Sequence, residues 1–539
     1  MRPAVRAFHL LLAAGLLLPV TTPAAPQSAT TGYRSNETAR LRLHEKRLAI
    51  LQGKYNGTTF FPVYRDAEER LIRQLASAPS ARSPSVPVTP GRHLDAYFSK
   101  PDGSPQPFWT YVPHKPAKRP GLLLYLHGYN PEYDVLTAPC YPAVLTNFAE
   151  TAGAYLAAPF GHGNTDFQHL GEADVFRVIE EMVARHGVDP DLVVLTGTSM
   201  GGLGAWCIAS RWPGRFNAVI VDSGRADFYI WHRLQPDDIP PWQQEIVDSI
   251  FAGKHLPSLT NSFIIAGHGR LDEIVSYDQG KYPVERLLAL GAKHVRFHPY
   301  SQGHVVFDEL LAEKDVRDLL LRGLREKLPR GNRAPGSPAL PGQTGFRLMD
   351  AFLSPFTLVA GREKNGNGYS DDQLADRALE WERFSKGEAE TIPETLLTKD
   401  VTANRNLFFF GEPETSPAIR ECLGKAGVTY TPRAFRLCGK NFPRDAKHGF
   451  ILALPSPYNR DNTVIVQCGI PWGAASPDNH RFDRIPDLAC YRKENDEFGY
   501  PIVDSAAFLT SSNTYRFVGT QPIRHPRQDT PAIESEKTR

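Results

Sequence analysis

The 539-residue chain lacks a charge of one sign: Lys plus Arg number 61 and Asp plus Glu 59. Without such an excess, nothing steers it over long range toward nucleic acid or an anionic membrane. It lacks a membrane span as well. Its N-terminal apolar stretch, Ala7 to Val20, is about 14 residues long where a bilayer needs about 20, and no run elsewhere is long enough. Six cysteines are present, none in C-x-x-C spacing, which excludes a ribbon-type zinc or dithiol redox motif. No repeat of solenoid or propeller period occurs. Aromatic residues at 10% and charged residues at 22% are ordinary, and they exclude a disordered chain.

What is present begins with a basic start, the short apolar stretch, and then Thr21-Thr22-Pro23-Ala24-Ala25. Residues 1–25 are thus predicted to be a secretory signal peptide, and the chain a secreted or periplasmic protein. Loss of Arg2 and Arg6 with that segment leaves 59 charges of each sign. No cysteine follows the cleavage region, so a lipid anchor is not expected. In an oxidising compartment the cysteines can pair, and the expectation is pairing within each region. One region holds Cys140 and Cys207, the other Cys422, Cys438, Cys468 and Cys490. Two sequons, Asn36-Glu-Thr38 and Asn56-Gly-Thr58, matter only in a glycosylating cell.

Leucine and isoleucine between residues 36 and 76 predict amphipathic helices, within an N-terminal segment spanning 26–92. From residue 93 to 328 the pattern becomes strand, helix, strand. Short apolar runs at Leu122–Leu126, Ala154–Ala158, Leu192–Leu195, Ala218–Val221 and Phe263–Ala266 alternate with helical stretches such as Ala173–His186, Pro283–Leu290 and Asp315–Lys327. Runs without alternation predict a mostly parallel sheet buried on both faces and flanked by helices. Residues 329–345, with four prolines and four glycines, read as a linker. A second, smaller α/β unit is predicted for 346–523. Its strands are Phe356–Ala360, Leu407–Phe410, Phe450–Leu454 and Thr463–Gln467, its helices Asp371–Phe384 and Ser416–Ala426. The tail, 524–539, reads as disordered.

Leu192-Val-Val-Leu-Thr-Gly197-Thr-Ser199-Met-Gly201-Gly-Leu-Gly204 is a β-branched run that ends in G-x-S-x-G and turns helical. This pattern places a nucleophilic serine on a strained strand-to-helix turn, with glycines where side chains would collide. A serine needs a base, and the base an orienting acid, in the chain order Ser, acid, His. Asp272 follows the strand and glycine-rich turn Phe263-Ile-Ile-Ala-Gly-His-Gly-Arg, and His304 follows the strand Val295–Tyr300 and a glycine. Ser199, Asp272 and His304 are the predicted triad, with Asp222 a second candidate acid. The oxyanion donors are predicted to be the backbone N–H of Met200 and that of Tyr129, with Gly128 as the alternative to Tyr129. His127 reads as structural, and Gly161-His162-Gly163 as a loop lining the site. His294, Arg296 and His298 read as one side of a half-exposed strand. The chemistry requires no metal or organic cofactor.

Residues 93–325 resemble the secreted α/β-hydrolases of the prolyl oligopeptidase and carboxylesterase type. The resemblance is carried by Asp102-Gly103-Ser104 before Phe108-Trp-Thr-Tyr-Val-Pro113, by His127-Gly128, Gly171-Glu-Ala-Asp174-Val175, Val188-Asp-Pro190 and Gly197-Thr-Ser-Met-Gly-Gly202, and by the Asp272 and His304 segments. Asp350-Ala-Phe, Asn406-Leu-Phe-Phe-Phe-Gly411-Glu-Pro and Leu454-Pro-Ser-Pro-Tyr-Asn459 are similar to a domain appended to bacterial members. The resemblance implies an α/β-hydrolase fold and cleavage of small-molecule esters or peptides through an acyl-enzyme. The chain departs from prolyl oligopeptidases in having no β-propeller, which leaves ester and peptide substrates both open. A non-catalytic binding protein on a hydrolase scaffold is the competing reading.

Overall fold

The computed structural model describes residues 32–59, 61–77, 89–329, 339–361, 371–472, 480–496 and 499–521. The predicted signal peptide, the predicted tail and most of the linker lie outside them. The strands Gly91–Phe98 (β1) and Pro105–Val112 (β2) pair as an antiparallel hairpin, and Leu122–Leu126 (β3), Tyr155–Pro159 (β4), Val193–Thr198 (β5), Ala218–Asp222 (β6), Ile264–Gly269 (β7) and Val295–Tyr300 (β8) follow. Their order in the sheet is β1-β2-β4-β3-β5-β6-β7-β8, and β3 to β8 run parallel.

The parallel strands β3 to β7 are buried along their whole length because both faces are covered. Side chains alternate across a strand, so Leu122, Leu124 and Leu126 face one core with the helices Leu170–His186, Met200–Arg211 and Tyr277–Ala289. Leu123 and Tyr125 face the other core with the helices Val144–Ala152 and Lys314–Arg325. The last of these buries Val316, Leu319, Leu320 and Leu324, a stripe at helical spacing. β8 is the edge strand, and His294, Arg296 and His298 are exposed or half-buried there as expected. One helix differs from its prediction: Pro283 lies inside a helix that starts at Tyr277, six residues earlier.

The N-terminal helix Gly32–Tyr55 packs on β1 and β2 at the first sheet's edge, and the helix Phe61–Ser77 packs on it in turn. Ala39 and Leu43 pack with Ala96, Val135 and Phe160. Arg47 donates to Glu68 and to the carbonyls of Val135 (2.9 Å) and Leu136 (2.7 Å), clamping the loop that follows β3.

The second unit carries a sheet with as many strands as the first. Its strands are Phe356–Ala360 (β9), Glu390–Pro393 (β10), Asn406–Phe410 (β11), His448–Pro455 (β15), Thr463–Gly469 (β16), Leu488–Asn495 (β17), Pro501–Leu509 (β18) and Tyr515–Val518 (β19). The order is β10-β9-β11-β16-β15-β17-β18-β19, parallel from β10 to β16 and antiparallel beyond. A small sheet, Thr429–Thr431 (β12), Ala434–Leu437 (β13) and Lys440–Pro443 (β14), packs Phe435 against Phe450.

The two units share one apolar core. Leu170, Leu203, Cys207, Phe228 and Trp242 of the first lie in a continuous buried cluster with Phe352, Phe356, Phe408, Ile451 and Tyr491 of the second. The end of the predicted linker is tied down too, since Gly342 N–H donates to Glu172 (2.9 Å) and Arg211 donates to the Gln343 carbonyl.

The expected cysteine pairing does not occur: all six thiols are free. Cys468 on β16 and Cys490 on β17 both sit opposite Phe450 of β15. Two strand spacings, about 10 Å, therefore separate their Cα atoms, beyond the reach of a disulfide. Among the described residues, no helix is long and apolar enough to cross a membrane.

Candidate active site

The carboxyl ends of β5, β7 and β8 bring the predicted triad together. Ser199 stands between β5 and the helix Met200–Arg211, at φ 56° and ψ −113°, a conformation rarely adopted by a residue with a side chain. The flanking glycines are what allow it. A Cβ on Gly197 would lie 2.2 Å from the Gly201 carbonyl oxygen, and one on Gly201 would lie 2.0 Å from that of Leu126.

The Ser199 hydroxyl donates to His304 Nε2 at 2.8 Å, and His304 Nδ1 donates to Asp272 Oδ2 at 2.7 Å. That chain requires the imidazole proton on Nδ1 and leaves Nε2 free to accept one. The Asp272 side chain is fully buried and the His304 side chain 15% exposed. Burial of a carboxylate demands partners, and Asp272 has them: Oδ1 accepts the N–H groups of Ile274 and Val275, both at 2.9 Å.

One further partner of Asp272 was not singled out from the sequence. His268, at the end of β7, places Nε2 3.0 Å from Asp272 Oδ2 and 2.9 Å from the Val275 carbonyl, so a single N–H is shared between two acceptors. Burial pushes the pKa of His268 below the ordinary value and keeps the ring neutral. Its ring rests edge-on to Tyr277, and Gly280 leaves room for it, since a Cβ there would come within 2.5 Å of Nδ1. The signal was available in Gly267-His268-Gly269, which reads as a turn until β7 is seen to run through it.

Met200 is the first residue of its helix, so its backbone N–H has no acceptor within the helix. The loop after β3 reaches the same place. A Cβ built on Gly128 would be 3.6 Å from Ser199 Cβ, and Tyr129 comes next in the chain. The N–H of Asn130 is engaged by Asn164 (3.2 Å), leaving Tyr129 and Gly128 as the loop's donors nearest the serine. His127 is structural, as expected: it is buried between the carbonyls of Gly128 (2.9 Å) and Phe160 (3.0 Å).

Two other candidates are placed differently from one another. Asp222, at the end of β6, is buried beside the site, and its Oδ1 accepts the Val306 N–H (3.0 Å) and the Ser223 hydroxyl (2.9 Å). Burial raises its pKa to about 6. It holds the loop after His304 without contacting the imidazole. The Gly161-His162-Gly163 loop, expected to line the site, instead turns His162 to the second unit, where Nδ1 meets the Ser385 carbonyl at 2.7 Å. Only the neighbouring Asn164 reaches the loop of Tyr129. For metal binding, one group among the described residues has converging donor atoms: His298, Glu313 and Asp315 lie within 4.8 Å of one another. They are half-buried, and Arg296 and His298 both pair with Asp315.

A mixed sheet of this order, with a strained serine after the fifth strand and a histidine after the eighth, is the α/β-hydrolase fold. A family model described as putative esterase matches residues 140–278, about a quarter of the chain and a stretch that includes Ser199 and Asp272. Acyl-protein thioesterase 1 of Debaryomyces hansenii is 23% identical over 210 residues, covering 38% of this chain and 81% of that protein. Among solved structures, an S-formylglutathione hydrolase from Staphylococcus aureus matches at TM-score 0.33 and 14% identity, over 44% of this chain and 99% of its own. An acylaminoacyl peptidase from Pyrococcus horikoshii matches at TM-score 0.31 and 16% identity over 44% of this chain. That match spans only 42% of the peptidase's own length.

Proposed function

We propose that the chain is an exported serine hydrolase that cleaves small-molecule esters. The observation that carries this reading is the unbroken relay from Ser199 Oγ to His304 Nε2 (2.8 Å) and from His304 Nδ1 to Asp272 Oδ2 (2.7 Å). His304 takes the serine proton as Oγ attacks the carbonyl carbon, and gives it to the leaving alcohol. Asp272 holds the imidazole in the productive tautomer and stabilises the imidazolium. The N–H groups of Met200 and Tyr129 receive the oxyanion of the tetrahedral intermediate. Water, activated by His304, then releases the acid from the acyl-enzyme. Thioesters and activated amides fall within the same chemistry, and the esterase-type match favours esters over peptides. Export rests on the signal-peptide pattern of residues 1–25.

Ser199→Ala, assayed with a chromogenic ester, is expected to lose activity on the order of 10⁴ to 10⁶ in kcat. A fluorophosphonate is expected to label the parent chain and not the variant. Unchanged turnover in the variant would eliminate the proposal, and a folded parent whose Ser199 resists the probe would favour a binding protein.

A further inference from the structure

The loops that carry the triad leave four large apolar side chains in water. Tyr129 is 59% exposed, Leu271 69%, Ile274 63% and Val305 47%. A single exposed apolar residue is unremarked on any surface. These four are grouped by position: Leu271 adjoins Asp272, Ile274 lies two residues beyond it, Val305 adjoins His304, and Tyr129 follows the glycine that lies against Ser199.

Val305 carries a second observation. Its φ is +68°, in the left-handed region where a β-branched side chain is strained. The next residue fixes this geometry, because the Val306 N–H is held by buried Asp222. Glycine or asparagine would adopt it at less cost. The valine side chain is half in solvent, so the fold regains little of that strain through burial. A strained, exposed, apolar residue beside the base has a use only when something apolar covers it.

We infer that Val305, Leu271, Ile274 and Tyr129 form an apolar collar that covers the hydrocarbon part of the ester held at Ser199. The preferred substrates are esters whose acyl or alkyl chain has about six carbons or more, in place of short or charged chains. Each buried methylene contributes about 0.8 kcal/mol, so partial burial of six gives a ten- to hundredfold preference in kcat/KM. This inference rests on the serine-hydrolase reading.

The test is kcat/KM on 4-nitrophenyl acetate, butyrate and octanoate and on a matching series of alkyl acetates. Wild type is compared with Val305→Asn, Val305→Gly and a Leu271→Ser/Ile274→Ser double variant, with Tm measured for each. In wild type, rate is expected to rise with chain length in at least one series. The long-to-short ratio is expected to fall about tenfold in each variant, while the two Val305 variants melt no lower than wild type. A flat wild-type series overturns the inference and leaves the serine reading standing. So does a ratio that stays within twofold in all variants while Tm rises at Val305, because that valine is then strained without a role. Absence of any hydrolysis, together with a Ser199 that fluorophosphonate does not label, overturns the serine reading and the collar with it.

Discussion

The two sheets end differently. Beyond the carboxyl ends of β5, β7 and β8, groups are left with capacity to react: the Ser199 hydroxyl points at a base, and the Met200 N–H has no helical acceptor. Beyond the carboxyl ends of β11 and β16 lies a cavity of about 280 Å³ rich in charge, lined by Glu412, Glu414, Arg444, Asp445 and His448. Here the charges satisfy one another. Arg444 donates to Glu412, Glu414 and the Thr431 carbonyl, Glu412 also accepts the Gly469 N–H, and His448 sits between Asp445 and Asp504. A polar cavity at a strand end is therefore not by itself a reactive site. What matters is whether donors and acceptors remain to be used by a substrate.

That contrast can be broken by substitution. Asp222 gives the largest expected change in stability. Its pKa is raised from 3.8 to about 6, so the folded chain holds a proton more tightly than the unfolded one. The stability from this source is full below about pH 4 and is lost as pH rises through 6. Asp222→Asn keeps the acceptor for Val306 and removes the charge. It is expected to gain on the order of 3 kcal/mol over wild type at pH 7.5, and nothing at pH 4, in denaturant titrations.

Next comes Arg444→Met, which strands Glu412 and Glu414 without their cation. It is expected to lose about 2 kcal/mol in the same titrations, with kcat/KM on an ester unchanged. A change in kcat/KM would mean that the second sheet's end takes part in catalysis. The smallest effect is at His268. His268→Gln weakens one donor to Asp272, so the carboxylate is held less firmly against His304 Nδ1. Expected is a loss of about tenfold in kcat, with KM and Tm unchanged. A loss matched by a fall in Tm would make His268 a packing residue alone.

The first sheet and the grouping of Ser199, His304 and Asp272 were legible because their signals are local. A strained serine turn demands glycines at fixed positions, and parallel strands buried on both faces must be apolar throughout. What escaped the sequence depends on contacts made across the chain. β17 begins with the buried residues Leu488–Tyr491 and continues as the polar Arg492-Lys-Glu-Asn, so only half of it reads as strand. β18 opens on a proline, and its pairing with β17 is irregular. The helix starts at Tyr277 without a side-chain cap to signal it, and Pro283, the residue that signals a start, lies inside it. Cys468 and Cys490 stay unpaired for a related reason: compartment permits a disulfide, but strand register keeps their Cα atoms two strand spacings apart.

The shared core has a thermodynamic consequence. The helix that follows Ser199 buries Leu203 and Cys207 in the same cluster as Phe352, Phe408 and Tyr491. The support of Ser199 is thus built partly by residues more than a hundred positions away. Calorimetry of the whole chain should show one cooperative transition, and a fragment ending at residue 328 should expose that apolar face and aggregate. The half that carries Ser199 is thus expected to depend on the other for its fold, so loss of the second sheet through proteolysis should disturb the Ser199 site without touching a residue of it.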